Sequence, residues 1–234
     1  MQDKTTKQPF ISLLFLARGD LMGMIKTAHS YIDNCKTPED IEFIIGQDYD
    51  DIFCITEFKK YQQRVWPDVE FRYLIFPERL EWAELYKRLN ELYEESKGEW
   101  IAWASDDCCN LTHHWDQILK DRYRGKFLHV KTYVGPDPRD IDHPIALFPY
   151  TTRKFFDIMG HVALNMQADL WMGQIAIDLG FVVLDNDLRM EHIRTRNNVP
   201  KYTCDKFYNE DKPLWEEDKR KVKEYLDSLK EGLE

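Results

Sequence analysis

Short apolar runs alternate with stretches of helical periodicity through the first half of this chain, and that alternation leaves few folds open. Phe10 to Leu16 is rich in strand formers and suits a strand covered on both faces in a parallel sheet; Ile41 to Ile45 repeats the pattern. Between them Leu21, Met24, Ile25, Ala28 and Ile32 fall at helical spacing, and Thr37-Pro38-Glu39 breaks the chain. Val69 to Phe76 reads as a third strand, Trp82 to Tyr93 as a helix, and Trp100 to Ala104 as a fourth strand ending at Ser105-Asp106-Asp107. The alternation predicts an α/β fold with a mostly parallel central sheet flanked by helices.

The second half is less regular. Phe127 to Val134 reads as a strand, Gly135-Pro136-Asp137-Pro138 as a turn, and Ile145 to Phe148 as another short strand. Phe155 to Met159 and Leu170 to Leu179 read as helices, with Phe181 to Leu184 and Leu188 to Ile193 as a final strand pair. Residues 195 to 213 are polar and irregular and are expected to form a mobile loop. A C-terminal helix over 214 to 234 follows, with Val222, Tyr225, Leu226 and Leu229 at helical spacing.

At 234 residues, 43% hydrophobic and 14% aromatic, the chain has the length and composition of one large packed domain. Its net charge of -10 argues against broad nucleic-acid binding, because an acidic surface repels phosphate backbones. No apolar stretch approaches the roughly 18 residues of a transmembrane segment, and the start MQDKTTKQPF is not a signal peptide, so a cytoplasmic protein is expected. The five cysteines form no CxxC pair, which indicates reduced thiols rather than a zinc site or disulfide framework.

Open α/β sheets bind ligands beyond the carboxyl ends of their strands. Here those positions are polar: Arg18-Gly19-Asp20 after the first strand, Gln47 to Asp51 after the second, Pro77-Glu78-Arg79 after the third, Ser105-Asp106-Asp107 after the fourth. Asp50 and Asp51 can equally open the next helix, where negative charge suits the N-terminal dipole. An apolar strand running straight into two carboxylates brings like charges together, and such a pair calls for a counter-ion. Hard oxygen ligands favour magnesium or manganese, which can bridge two phosphates of a nucleotide. Side chains alternate along a strand, so one direct ligand is expected. A solvated acidic turn is the competing account.

The stretch PERLEWAELYKRLNELYEESKGEWIAWASDDCCNLTHHWDQIL resembles the central signature of family 2-like GT-A glycosyltransferases: Pro77, Arg79, Asn90, Gly98, Asp106, Asp107, Trp115 and Asp116 match in order. HPIALFPYTTRKFFDIMGHVALNMQADLWMGQIAIDLGF is similar to the acceptor half of that family. The resemblance implies a flexible N-terminus over 1 to 9 and a catalytic domain over 10 to 194, with 10 to 107 holding the nucleotide and 108 to 194 the acceptor. It implies a nucleotide diphosphate sugar as donor, a saccharide or other hydroxyl as acceptor, and a divalent cation, Mn or Mg, as cofactor.

Residue by residue, the resemblance places Asp48 on the nucleotide base, Arg79 near the same base and phosphates, and Asp106 toward the ribose or a water near the metal. Asp107 becomes the metal ligand, His192 a histidine that completes the metal site, and Asp169 the general base of an inverting displacement. Trp171 is a candidate for stacking on an acceptor sugar, and Arg194 for bidentate pairing with phosphate as the loop behind it closes, with Lys201 and Tyr202 on that loop. The sequence also departs from the family. Ala17-Arg18 stands where Pro followed by Ser or Thr is usual, so the family's contacts to the base do not carry over at that point, and Arg18 is itself a candidate for donor binding. Ala168 replaces an acidic residue or threonine, and no Gln-x-x-Arg-Trp motif marks a processive synthase. A retaining transferase, a nucleotidyltransferase of similar architecture and a binding module without turnover are the alternatives.

Overall fold

The computed structural model describes residues 8–81, 84–135, 145, 147–165, 167–193 and 211–231. Strands β1 (Ile11–Leu16), β2 (Ile41–Asp48), β3 (Glu70–Phe76) and β4 (Trp100–Ser105) alternate with helices α1 (Leu21–Ile32), α2 (Ile52–Val65) and α3 (Leu85–Glu95). Then come β5 (Cys108–Asn110), α4 (Trp115–Tyr123), β6 (His129–Gly135), β7 (Tyr150–Thr152), α5 (Arg153–Met159), α6 (Ala168–Leu179), β8 (Val182–His192) and α7 (Lys212–Glu231). The eight strands form one sheet in the order β3-β2-β1-β4-β7-β6-β8-β5.

The sheet is mixed: the parallel pairings of the expected sheet are joined by antiparallel ones, and β6 also pairs parallel with β8. β1 pairs parallel with β2 and β4, and β2 with β3, but β7 lies antiparallel between β4 and β6, and β5 antiparallel to β8. Two expectations change. Ile145, Leu147 and Phe148 are not in a strand; the strand begins at Tyr150, and the Trp103 indole N–H donates to the Leu147 carbonyl at 3.0 Å across this segment. The expected final strand pair is one strand, β8, whose pairing with β6 jumps from Asp185 to Arg189. Asp185 anchors that bulge: it accepts from Arg122 Nη1 at 2.9 Å, from the Tyr123 hydroxyl at 2.8 Å and from the Asp187 backbone N–H at 2.9 Å.

Period-two alternation explains how the sheet is covered on both faces. Leu13, Phe15, Phe43, Ile45, Trp100 and Ala102 enter one core with Met24, Tyr31, Phe58 and Trp115. Leu14, Ile44 and Ile101 enter the other with Leu92, Phe155, Trp171 and Trp215. Burying one such side chain contributes about 1.5–3 kcal/mol, so the two cores hold the sheet between its helices. Within β2 the fully buried Glu42 interrupts the apolar run. It accepts from Ser12 Oγ at 2.5 Å, from Lys97 N at 2.5 Å and from Gly98 N at 3.2 Å, and pairs with Arg72. One carboxylate thus ties together β1, β2, β3 and the approach to β4. Among the described residues no helix is long and apolar enough to cross a membrane.

Candidate active site

A cleft of about 650 Å³ opens at the carboxyl ends of β1, β2, β3 and β4. Of the expected site residues, Arg18, Asp48, Arg79, Asp106, Asp107, Asp169 and His192 all line it. Arg194 and the loop residues Lys201 and Tyr202 lie outside the described residues, as do residues 195–210 of the expected mobile loop; at its end, α7 already begins at Lys212.

Trp171 does not line the cleft. It is fully buried, its indole N–H donating to Asp218 Oδ2 at 3.1 Å and its carbonyl accepting from Trp215 Nε1 at 3.0 Å. In a helix, positions two apart do not share a face, so the half-buried Asp169 reaches the cleft while Trp171 turns into the core against α7.

The first turn of α1 brings its backbone against the end of β4. The Asp20 carboxylate caps the helix by accepting from Gly23 N at 2.8 Å, and a Cβ at Gly23 would collide with the Asp106 carbonyl oxygen. Only a residue without a side chain permits this approach. Thr27, one turn further on, donates its hydroxyl to the Ser105 and Cys108 carbonyls, at 2.9 and 2.6 Å, and so holds the turn that carries both aspartates.

That turn gives the two carboxylates different environments. Asp106 Oδ2 accepts weakly from the Arg18 backbone N–H at 3.4 Å; burial pushes its pKa up to about 6, with the negative charges of Asp107 and Asp20 adding to the rise. Burial acts to raise Asp107 as well, but hydrogen bonds from His192 and Ser105 outweigh it and hold that carboxyl below its ordinary range. Asp107 Oδ2 lies 3.3 Å from His192 Nε2, and the His192 ring packs edge-on to Phe148 at 5.2 Å. Pairing between β5 and β8 sets this meeting: Cys108 is opposite His192, and Ile193 N donates to the Asp107 carbonyl at 2.6 Å. The short strand β5 has no periodicity of its own and is not legible in the sequence.

At the β2 end, Arg18 Nη1 donates to Asp48 at 2.5 Å and Nη2 to Asp50 at 2.7 Å. Asp51 accepts from the Gly19 backbone N–H at 2.6 Å and from Gln47 Nε2 at 2.5 Å. Asp50 and Asp51 therefore serve this loop cluster, beyond merely opening α2, where Asp51 makes no side-chain cap. Neither Gln47 nor these two carboxylates stands out from an ordinary helix start in the sequence; long-range pairing with Arg18 and Gly19 reveals them.

Several motif residues prove to be staples outside the cleft. Asn90 bridges to the segment before Asp169, donating to the Ala163 carbonyl at 2.8 Å and accepting from Val162 N at 2.8 Å. Asp116 accepts from Lys36 N at 2.8 Å and Thr37 N at 3.1 Å, and Trp115 Nε1 donates to the Tyr31 carbonyl at 2.9 Å.

Asp107 and His192 offer one oxygen and one nitrogen donor side by side, a set that suits a divalent ion with positions left open for substrate oxygens. Among the described residues no group of three His, Cys, Asp or Glu side chains could hold an ion.

No protein-family model matches the chain, and no curated protein matches it. Solved structures share its fold. The mannosyltransferase PcManGT from Pyrobaculum calidifontis, in complex with GDP-Man and Mn2+, superposes with a TM-score of 0.63 at 13% identity, over 82% of this chain and 59% of that one. S. aureus TarS 1-349 in complex with UDP gives 0.64 at 10% identity, over 89% and 64%. GalNAc-T7 with UDP, GalNAc and Mn2+ gives 0.61 at 10% identity, over 80% and 44%. The chain thus has an α/β fold shared with glycosyltransferases, and it spans less than two thirds of the length of each of these three.

Proposed function

We propose that this chain is a glycosyltransferase of the GT-A type, similar to family 2, that moves a sugar from a nucleotide diphosphate donor to an acceptor hydroxyl with inversion and without processivity. One observation carries the reading: the cleft gathers Arg18, Asp48, Arg79, Asp106, Asp107, Asp169 and His192 from elements that are far apart in sequence. Shared fold with nucleotide-sugar enzymes supports it. In this reading Asp48 and Arg18 hold the base, Arg79 approaches the phosphates, and Asp107 with His192 holds a manganese or magnesium ion. That ion, when bound, offsets the charge that builds on the departing diphosphate. Asp169 takes the proton of the acceptor hydroxyl as the oxygen attacks the anomeric carbon and the bond to the diphosphate breaks.

The test is Asp107→Asn, assayed for turnover and for stabilisation by nucleotide diphosphate sugars with and without manganese. Loss of a residue merely supporting a metal ligand costs about 10–100-fold, so removing the ligand's charge is expected to cost at least that, together with the manganese-dependent rise in Tm. Unchanged manganese dependence and turnover would place the centre elsewhere.

A further inference from the structure

A second cavity, of about 640 Å³, opens at the other end of the sheet from the cleft, where Phe10 leads into β1, Glu99 leads into β4 and Thr152 ends β7. We infer that it binds an acidic saccharide, at a site separate from the catalytic centre and independent of the donor reading.

The chain as a whole carries a net charge of -10, yet the described lining of this groove has five cations against three carboxylates. Some of that charge is already committed. Lys120 pairs with Asp40 at 2.8 Å, and Arg153 donates from Nε to the Gly98 carbonyl at 2.5 Å and from Nη2 to Ser96 Oγ at 2.6 Å. The rest is open. Arg124 is 67% exposed, and its Nε stands 3.9 Å from Glu99 Oε2, too far for a hydrogen bond. Lys126 and Lys154 are both exposed and make no ion pair among the described residues; their ammonium groups sit over the rings of Tyr123 and Tyr225, at 5.8 and 5.4 Å. The groove thus holds cations for an anion to pair with.

A ligand that is anionic throughout is nonetheless a poor match. Asp157 accepts from the Tyr93 hydroxyl through Oδ1 at 2.5 Å, and Glu99 accepts from Gly125 N through Oε1 at 3.1 Å, so each carboxylate has its second oxygen without a hydrogen bond among the described residues. Those oxygens need donors and repel further negative charge. Hydroxyl groups satisfy them. The groove also has an apolar wall, in which the half-buried rings of Phe127 and Tyr225 lie 5.2 Å apart and tilted by 48°, leaving faces on which the C–H side of a sugar ring can rest. Acidic groups, several hydroxyls and an apolar ring face together describe a saccharide bearing carboxylate, phosphate or sulfate.

The experiment is titration calorimetry on the full chain at low salt, with EDTA to exclude metal-dependent binding in the cleft. The probes are trigalacturonate, glucose 6-phosphate and a heparin tetrasaccharide, each beside its uncharged form: the methyl ester, glucose and the desulfated sugar. At least one acidic probe is expected to bind. Lys126→Gln and Lys154→Gln, both at exposed positions and each checked for an unchanged Tm, should weaken that binding about two- to fivefold each, the scale of an exposed charge pair, and about 4–25-fold together. The uncharged form should bind the wild type more weakly by a similar factor and should not distinguish the wild type from the double variant. Binding of none of the three, or wild-type affinity in the double variant, overturns the assignment. So does binding that vanishes in Asp107→Asn, which would put the sugar in the cleft, and so does triglutamate or UMP binding as tightly as the best sugar, since these carry the charge without the saccharide chain. Each of these results leaves the donor reading where it stands.

Discussion

In the amino-terminal half of the sheet β3, β2, β1 and β4 run parallel in unbroken register; in the other half β7 and β5 run antiparallel and β8 skips from Asp185 to Arg189 against β6. Parallel pairing without shifts brings four strand ends to one level, which is why Arg18, Asp48, Arg79 and Asp107 share a wall. The irregular half does a different job. Its bulge and the β5 pairing return the chain to that wall from the far edge, delivering His192 to Asp107. Each half also has its own buried carboxylate: Glu42 gathers three strands and the approach to a fourth, while Asp185 ties one bulge to α4. In the proposed reading the difference becomes a division of labour, donor on the regular half and chemistry on the irregular one, and three measurements can break or sharpen it.

The largest effect belongs to Asp169. General-base removal costs about 100–10,000-fold, so Asp169→Asn should lower kcat by that much while donor affinity, held by the opposite wall, stays at the wild-type value. A parallel loss of donor affinity would erase the division. Next comes stability. Removing one partner of a buried ion pair costs about 3–5 kcal/mol, the scale expected for Glu42→Ala in urea unfolding. Asp185→Ala should cost less, about 1.5–3 kcal/mol for charged hydrogen bonds, because its partner Arg122 is 44% exposed and can turn to water. Equal losses would mean the bulge is as strongly built as the parallel half.

Smallest per unit step is a pH dependence in the irregular half. His129, at the start of β6, is completely buried, with Nδ1 on the Thr151 hydroxyl at 2.9 Å and no partner at Nε2; burial pushes its pKa down to about 3. Above the unfolded value of about 6.5 both states are neutral and its contribution is intact. As pH falls from there toward 3, the unfolded chain takes up a proton that the folded one refuses, and stability drops by at most about 1.4 kcal/mol per pH unit from this residue. His129→Gln should flatten that slope. Parallel curves for the two proteins between pH 6.5 and 4 would assign the acid sensitivity to other groups.

Legibility followed the same divide. Helix α1 runs from Leu21 to Ile32, the bounds its periodicity predicts, and β4 ends at the aspartate pair as the apolar run suggests. These elements are set by local pattern. Asp185-Asn186-Asp187 reads as a turn between two strands because nothing nearby in the sequence shows that Arg122 and Tyr123, some sixty positions earlier, will satisfy Asp185. Trp171 misled for the same reason, its partners Asp218 and Trp215 lying more than forty positions on. Cys108 to Asn110 is too short to show a period at all. Within the site, the aspartates at strand ends were visible, whereas the pairing of Arg18 with Asp48 and Asp50 exists only once β1 and β2 are side by side.

Helix α7 closes the core beneath α6: Trp215 reaches the Trp171 carbonyl, and Asp218 accepts from both Trp171 and His161, the latter at 3.0 Å. During synthesis a chain leaves the ribosome amino end first, so the strands from Ile11 to Ser105 can find one another while Trp171 still has nothing to cover it. One face of those strands, with Leu14, Ile44 and Ile101, therefore waits for Phe155, Trp171 and Trp215 before it is covered.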